Sequence, residues 1–236
     1  MTEPPSKYEQ RRSEIATYFD ETASEAWSKL TSDAPVSRIR QTVRAGRDEM
    51  RSHLLNWLPE DLSGRRVLDA GCGTGALAVE VARRGATVVA TDLSPTLIEL
   101  AGSRLPTELA DNIDFRVGDM TQVAGEMFDY IVAMDSLIHY DIDDVLNAVM
   151  RMSQTATRSI LFTFAPRTPL LAAMHNVGKL FPRGNRSPAI QPVAERCLQD
   201  RLDGALTQSG WRMGRQRRIS SGFYTSQAQE LVLLQS

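Results

Sequence analysis

Three glycines stand at alternate positions, Gly71, Gly73 and Gly75, directly after the run Val67-Leu68-Asp69-Ala70. Such a loop lets the backbone turn sharply and approach a ligand closely, with helix N–H groups aimed into the gap. The glycines alone do not choose the ligand, because Gly71-x-Gly73-x-x-Ala76 also satisfies the dinucleotide fingerprint in its G/A form. Asp69 separates the readings. A dinucleotide would bring a doubly charged pyrophosphate to this turn, and a carboxylate beside it in a dry cleft would be strongly unfavourable. A ligand with a sulfonium and an ammonium, and no phosphate, gains from the same acid.

Asp92 closes the next apolar run, where a carboxylate accepts ribose hydroxyls. Gly118-Asp119-Met120 follows the run after that, which places Asp119 to receive an adenine amino group and Met120 to cover the ring. Acids at successive strand ends, on the edge where such sheets bind ligands, predict S-adenosylmethionine as cofactor and S-adenosylhomocysteine as its product. Asp69 as a turn cap, Asp92 as a helix cap and Met120 as core are the competing readings of each residue taken singly.

The elements that position these residues follow from hydrophobic periodicity. Strands are predicted at 66–70, 87–91, 113–117, 128–134 and 159–165, with helices at 75–84, 94–104 and 143–152 between them. Ser94 is a natural N-cap with Pro95 at the first helical position. Strands alternating with helices imply a doubly wound parallel sheet. A helix at 193–209 and two strands at 211–220 and 223–234 follow, and their tight connection makes the pair antiparallel. Two helices, at 14–30 and from about residue 36, precede the first strand, and the polar residues 1–13 are expected to fray. The domain division is therefore a helical extension over 1–59 that covers the active site and an α/β domain over 60–236. A proline-rich lid over 167–192 is inserted after the fifth strand.

Composition excludes several classes. A net charge of −2 argues against nucleic acid as a partner. Cys72 and Cys197 fit no disulfide or metal spacing, so reduced thiols in the cytoplasm are expected. His53 and His175 lack ligand-spaced partners, and no protein-bound metal is expected. Cys72 belongs with the cofactor loop and has no neighbouring base to make it a nucleophile. The arginines at 212, 215, 217 and 218 are read as protecting a terminal strand rather than docking a partner.

This pattern resembles the seven-stranded class I methyltransferases, which implies a mostly parallel sheet of order 3-2-1-4-5-7-6 with the last strand antiparallel. By that resemblance Gly71, Cys72 and Gly73 border the methionine part of the cofactor, Asp92 and Leu93 meet ribose and adenine, Asp119 and Met120 meet adenine, and Met134 flanks the methionine moiety. A narrower resemblance, to the magnesium-protoporphyrin IX methyltransferases, rests on several further blocks. They are Tyr18-Phe19-Asp20 with Trp27, Val36-Ser37-Arg38-Ile39-Arg40, Met134-Asp135-Ser136-Leu137-Ile138-His139-Tyr140, Thr163-Phe164-Ala165-Pro166-Arg167-Thr168 and Phe181-Pro182.

That family implies methyl transfer to a propionate carboxylate of magnesium-protoporphyrin IX, as in (bacterio)chlorophyll biosynthesis. It also implies handover from the porphyrin-binding subunit of magnesium chelatase and peripheral contact with the photosynthetic membrane. A porphyrin is a broad apolar disc with two carboxylates, and Arg167, Leu171, Met174 and Phe181 of the lid are read as its binding surface. A surface helix packed on the sheet, or one skimming a membrane, are the other readings of that face. His139 is assigned to orient the propionate and Tyr18 to close over the cofactor and hold the carboxylate, against loop-holding and core roles respectively. Methylation of another flat acceptor, a quinone or phenol, is the alternative; it would require a base to deprotonate a hydroxyl.

Overall fold

A computed structural model describes residues 7–22, 31, 35, 37–123, 125–167, 190–206 and 209–234. Its strands are β1 (Arg66–Ala70), β2 (Thr87–Asp92), β3 (Ile113–Val117), β4 (Phe128–Ala133), β5 (Ala156–Phe164), β6 (Trp211–Ser221) and β7 (Tyr224–Leu233). They form one sheet in the order β3-β2-β1-β4-β5-β7-β6. β1 to β5 are parallel to their neighbours, and β7 runs antiparallel to both β5 and β6. Helices α1 (Lys7–Thr17) and α2 (Arg38–Trp57) precede the sheet; α3 (Ala76–Arg83), α4 (Pro95–Ser103), α5 (Ile142–Ser153) and α6 (Glu195–Leu206) are wound through it.

The central strands are apolar on both faces because helices cover both sides of a parallel sheet. Leu68, Ile131, Ile160 and Phe162 are buried at its middle. Ser94 caps α4, accepting from Leu97 N–H at 3.2 Å, with Pro95 at the first position. α2 starts after Ser37, buries Met50 and Leu54, and lies on β6 and β7. Gly46 permits that approach: a Cβ there would fall 2.5 Å from the Tyr224 ring.

Two boundaries differ from expectation for tertiary reasons. Helix begins at Lys7 within the stretch expected to fray, because Tyr8 and Arg12 find partners in the sheet domain. It then widens into a π-helical turn over Tyr18–Thr22. β5 begins at Ala156, three residues early, since polar Thr157 and Arg158 pair along β4, with Arg158 donating to Asp129 at 3.0 Å. The lid region over 168–189 lies outside the described residues. At its described ends Pro166 bridges Val193, Arg167 N–H donates to Val193 O at 2.8 Å, and Val193 N–H donates to Ala165 O at 2.8 Å. The chain therefore leaves and re-enters the sheet at one place. No helix among the described residues is long and apolar enough to cross a membrane.

Candidate active site

One cavity of about 530 Å³ opens along the C-terminal ends of the parallel strands. At its centre is the glycine loop. Gly71, with φ of 82°, carries its N–H and that of Cys72 to the Thr91 carbonyl at 2.8 and 2.9 Å. A Cβ at Gly71 would fall 2.3 Å from the Cβ of Ser136, so only glycine admits the loop beside the β4 end. Asp92 ties the loop to β2 by accepting from Gly73 N–H at 2.8 Å and Ser94 N–H at 3.0 Å.

Asp69 is 1% exposed, and its Oδ2 has no hydrogen-bond partner among the described residues; neither do Thr91 Oγ1 and Ser136 Oγ nearby. Burial, with the charge of Asp92 adding to it, raises the Asp69 carboxyl to about 7. A buried carboxylate with a vacant oxygen favours a cation. The same burial, with Asp69 and Asp92 close by, pushes the Cys72 thiol well above its usual value, so it stays protonated.

At the β3 end Asp119 is fully engaged. Its oxygens accept from Tyr8 OH at 3.0 Å, Arg12 at 3.0 Å, and both Thr121 N–H and Thr121 Oγ1 at 2.8 Å. Burial raises this carboxyl, but the Thr121, Arg12 and Tyr8 donors together hold it below its usual value. Tyr8 also stacks on Tyr140, ring centres 5.3 Å apart. Next along α1, the carboxylate of Asp20 accepts from Thr96 N–H and Oγ1 and from Ser94 Oγ, which fixes the Tyr18–Thr22 turn against the start of α4.

Beyond β4, Asp135 adopts a left-handed backbone (φ of 54°), uncommon for a residue with a side chain. Its carboxylate holds Arg47 at 2.8 Å, Tyr224 OH at 3.0 Å, and Ser226 and Thr163 hydroxyls at 3.2 Å. That clamp sets the following 3-10 turn, Leu137–His139, whose buried His139 lies edge-on to Phe19 with ring centres 5.9 Å apart.

Comparison with known proteins decides the family. The chain is 48% identical to the magnesium-protoporphyrin O-methyltransferase of Rhodobacter capsulatus, over 96% of this chain and 98% of that one. The chain belongs to the magnesium-protoporphyrin IX methyltransferase family. Its relative from Synechocystis, a magnesium-protoporphyrin O-methyltransferase, is 28% identical over 92% of this chain and 94% of its own length. The family's C-terminal model, magnesium-protoporphyrin IX methyltransferase C-terminus, matches residues 133–233, and a general methyltransferase domain matches 67–157. A crystal structure of magnesium protoporphyrin IX methyltransferase from Synechocystis PCC 6803 with bound SAH aligns at a TM-score of 0.81 and 27% identity, covering 94% of this chain and 99% of that one.

Of the site residues expected from sequence, Tyr18, Asp69, Gly71, Cys72, Gly73, Asp92, Leu93, Asp119, Met120, Met134 and His139 all line the one cavity. Arg167 is exposed and does not line this cavity; its backbone is tied to Val193. Leu171, Met174 and Phe181 lie outside the described residues. The cavity of this family member also contains residues to which the sequence reading gave no site role, notably Ser136, Asp135 and four arginines of α2. The arginines had a legible signal, since 40, 44, 47 and 51 fall on one helical face. The Asp135 clamp had none, because its partners come from α2, β5 and β7. Two of the terminal arginines are engaged near the sheet edge: Arg215 pairs with Glu230 at 2.5 Å and lies over Trp57, and Arg218 pairs with Glu195.

Proposed function

We propose that the protein transfers the methyl group of S-adenosylmethionine to a propionate carboxylate of magnesium-protoporphyrin IX, giving the monomethyl ester used in (bacterio)chlorophyll biosynthesis. The near full-length identity of 48% with an enzyme named for that acceptor carries the reading. The unpartnered Asp69 oxygen, in a loop that leaves no room for a side chain at Gly71, supports the cationic cofactor.

The cofactor supplies a methyl group activated by a sulfonium. In this reading Asp69, Gly71, Cys72, Gly73 and Met134 surround its methionine end, and Asp92 with Leu93 its ribose. Met120 and Asp119 face adenine. Asp119 already accepts from Tyr8 and Arg12, so it meets the adenine amino group only by exchanging one of those donors. A propionic acid, with an unperturbed pKa of about 4.3 by analogy with Glu, is ionised at neutral pH, so no strong base is required. What the chain must provide is position. His139 orients the propionate, and Tyr18, opposite it across Phe19, holds the carboxylate and closes over the cofactor. The helical segment up to residue 59 acts as a cover, and Leu171, Met174 and Phe181 extend the acceptor surface. The magnesium is part of the acceptor. Delivery from the porphyrin-binding subunit of magnesium chelatase and contact with a photosynthetic membrane, which the family resemblance implies, belong to the same proposal.

Incubation with methyl-labelled S-adenosylmethionine and magnesium-protoporphyrin IX should yield a labelled monoester, and absence of transfer would overturn the proposal. His139→Ala and Tyr18→Phe should lower turnover more than they weaken cofactor binding. Wild-type turnover in both would remove their assigned roles.

A further inference from the structure

The cavity is electrically divided. Asp69, Asp92 and Asp119 occupy the ends of β1, β2 and β3, on one side of the sheet. Arg40, Arg44, Arg47 and Arg51 enter the same cavity from α2, which lies on β6 and β7 at the other side. Their spacing of four, three and four residues keeps all of them on one helical face, and Gly46, Met50 and Leu54 are buried along the stripe that adjoins it. A cationic cofactor accounts for the acidic side only. Arginine beside a concave surface is suited to a carboxylate, which its planar fork binds through two hydrogen bonds.

The Arg47–Asp135 ion pair at 2.8 Å brings this face beside the turn that carries His139. Arg51 pairs with Asp48 at 2.6 Å, so the carboxylates of Asp135 and Asp48 hold these two guanidiniums in place. Arg44 and Arg40 are on the two turns of α2 nearer its N-terminus, half-buried and exposed respectively. The two propionates of the porphyrin leave the same edge of the macrocycle. When one carboxylate stands at His139, the other is carried alongside.

Taking the proposed acceptor as its premise, we infer that Arg40 and Arg44 bind the propionate that is not methylated and thereby decide which one is. A carboxylate held by two guanidiniums is kept from the methyl group, and its partner is the one presented. The same contact limits the product to a monoester: a second methylation would place an uncharged ester against the arginines. The apolar side chains of Ile190 and Phe223, exposed at the same cavity, suit the face of the disc.

The test is the double variant Arg40→Ala/Arg44→Ala, with Arg40→Lys/Arg44→Lys as the charge-keeping control. The S-adenosylhomocysteine-induced rise in melting temperature reports that each is folded, and Gln replaces Ala if the first variant is not. The expected result is a KM for magnesium-protoporphyrin IX raised about tenfold or more, with KM for S-adenosylmethionine within about twofold of wild type. The product should change from one monoester to both, with some diester, when resolved by chromatography. The Lys variant should lie between. An unchanged porphyrin KM with a single unchanged monoester would overturn the inference. Direct titration of the magnesium porphyrin, followed by its absorbance at low and high salt, separates the two claims. If wild type binds the disc in a salt-sensitive manner that the variant loses, yet transfers no methyl, the arginine site stands and the proposed reaction falls. If wild type and variant bind alike, the arginine site falls.

Discussion

Asp69 and Asp135 are buried carboxylates at the ends of adjacent strands, β1 and β4, and they are treated in opposite ways. Asp135 receives Arg47, Tyr224, Ser226 and Thr163, drawn from one helix and two further strands. Asp69 keeps an oxygen with no partner among the described residues. A fully satisfied buried acid is a structural joint, whereas a half-satisfied one is a binding group whose cost is relieved when a cation arrives. One cavity therefore contains a rigid frame and a receptive point within the reach of neighbouring strands.

Breaking the joint should have the largest effect. Asp135→Ala leaves Arg47 without its carboxylate and strips three hydroxyls of their acceptor, and urea unfolding should show a loss of about 3–5 kcal/mol. Asp135→Asn, which tolerates the left-handed backbone and keeps part of the network, should lose less. An equal loss for both would mean that charge, rather than the network, carries the joint.

Asp69→Asn should do the reverse, raising stability at pH 8, where it removes a buried charge, and weakening S-adenosylmethionine about tenfold to a hundredfold, as urea unfolding and calorimetry would read. The pH dependence has a definite sign. Asp69 in the folded protein titrates at about 7, above its unfolded value. Its contribution to stability is therefore present at low pH and lost as pH rises through about 7, and Asp69→Asn should flatten that slope. Cofactor affinity runs the other way. It should strengthen about tenfold from pH 6 to pH 8 as the carboxylate ionises, and do so only in the wild type. An affinity independent of pH would mean that Asp69 is not the group meeting the cation.

The smallest effect is expected at the third acid. Tyr8→Phe with Arg12→Ala removes two donors from Asp119 and should release α1 at a cost of about 1–2 kcal/mol. Limited proteolysis should then cut within Lys7–Thr17 while the unfolding midpoint of the sheet moves little. If the midpoint falls as far as for Asp135→Ala, Asp119 is a joint of the same rank.

The strands and helices of the sheet domain, the glycine loop and the acids that follow β1, β2 and β3 were legible because each rests on local rules, whereas the order of the strands came with the family resemblance. Apolar runs of strand length, glycine at turns and proline after Ser94 act within a few residues of themselves. α1 was not legible at its start. Lys7 to Arg12 is polar, with too few apolar residues to suggest packing, and what orders it is Tyr8 reaching Asp119, 111 positions away. The start of β5 was missed for the same reason, since Thr157 and Arg158 look like loop until β4 is beside them. Arg167, read as an acceptor contact, is exposed, and its backbone pairs with Val193, a partner that lies far along the chain.

The residue types thus determined by themselves that a loop after the first strand would be open to a cation: glycines admit the close approach, and an acid repels phosphate. Whether each acid is open or occupied was decided only in three dimensions. Asp69, Asp119 and Asp135 are the same side chain at comparable strand ends. Their difference lies in donors delivered from α1, α2, β5 and β7, because a hydrogen bond depends on distance in space and a sequence records only order along the chain.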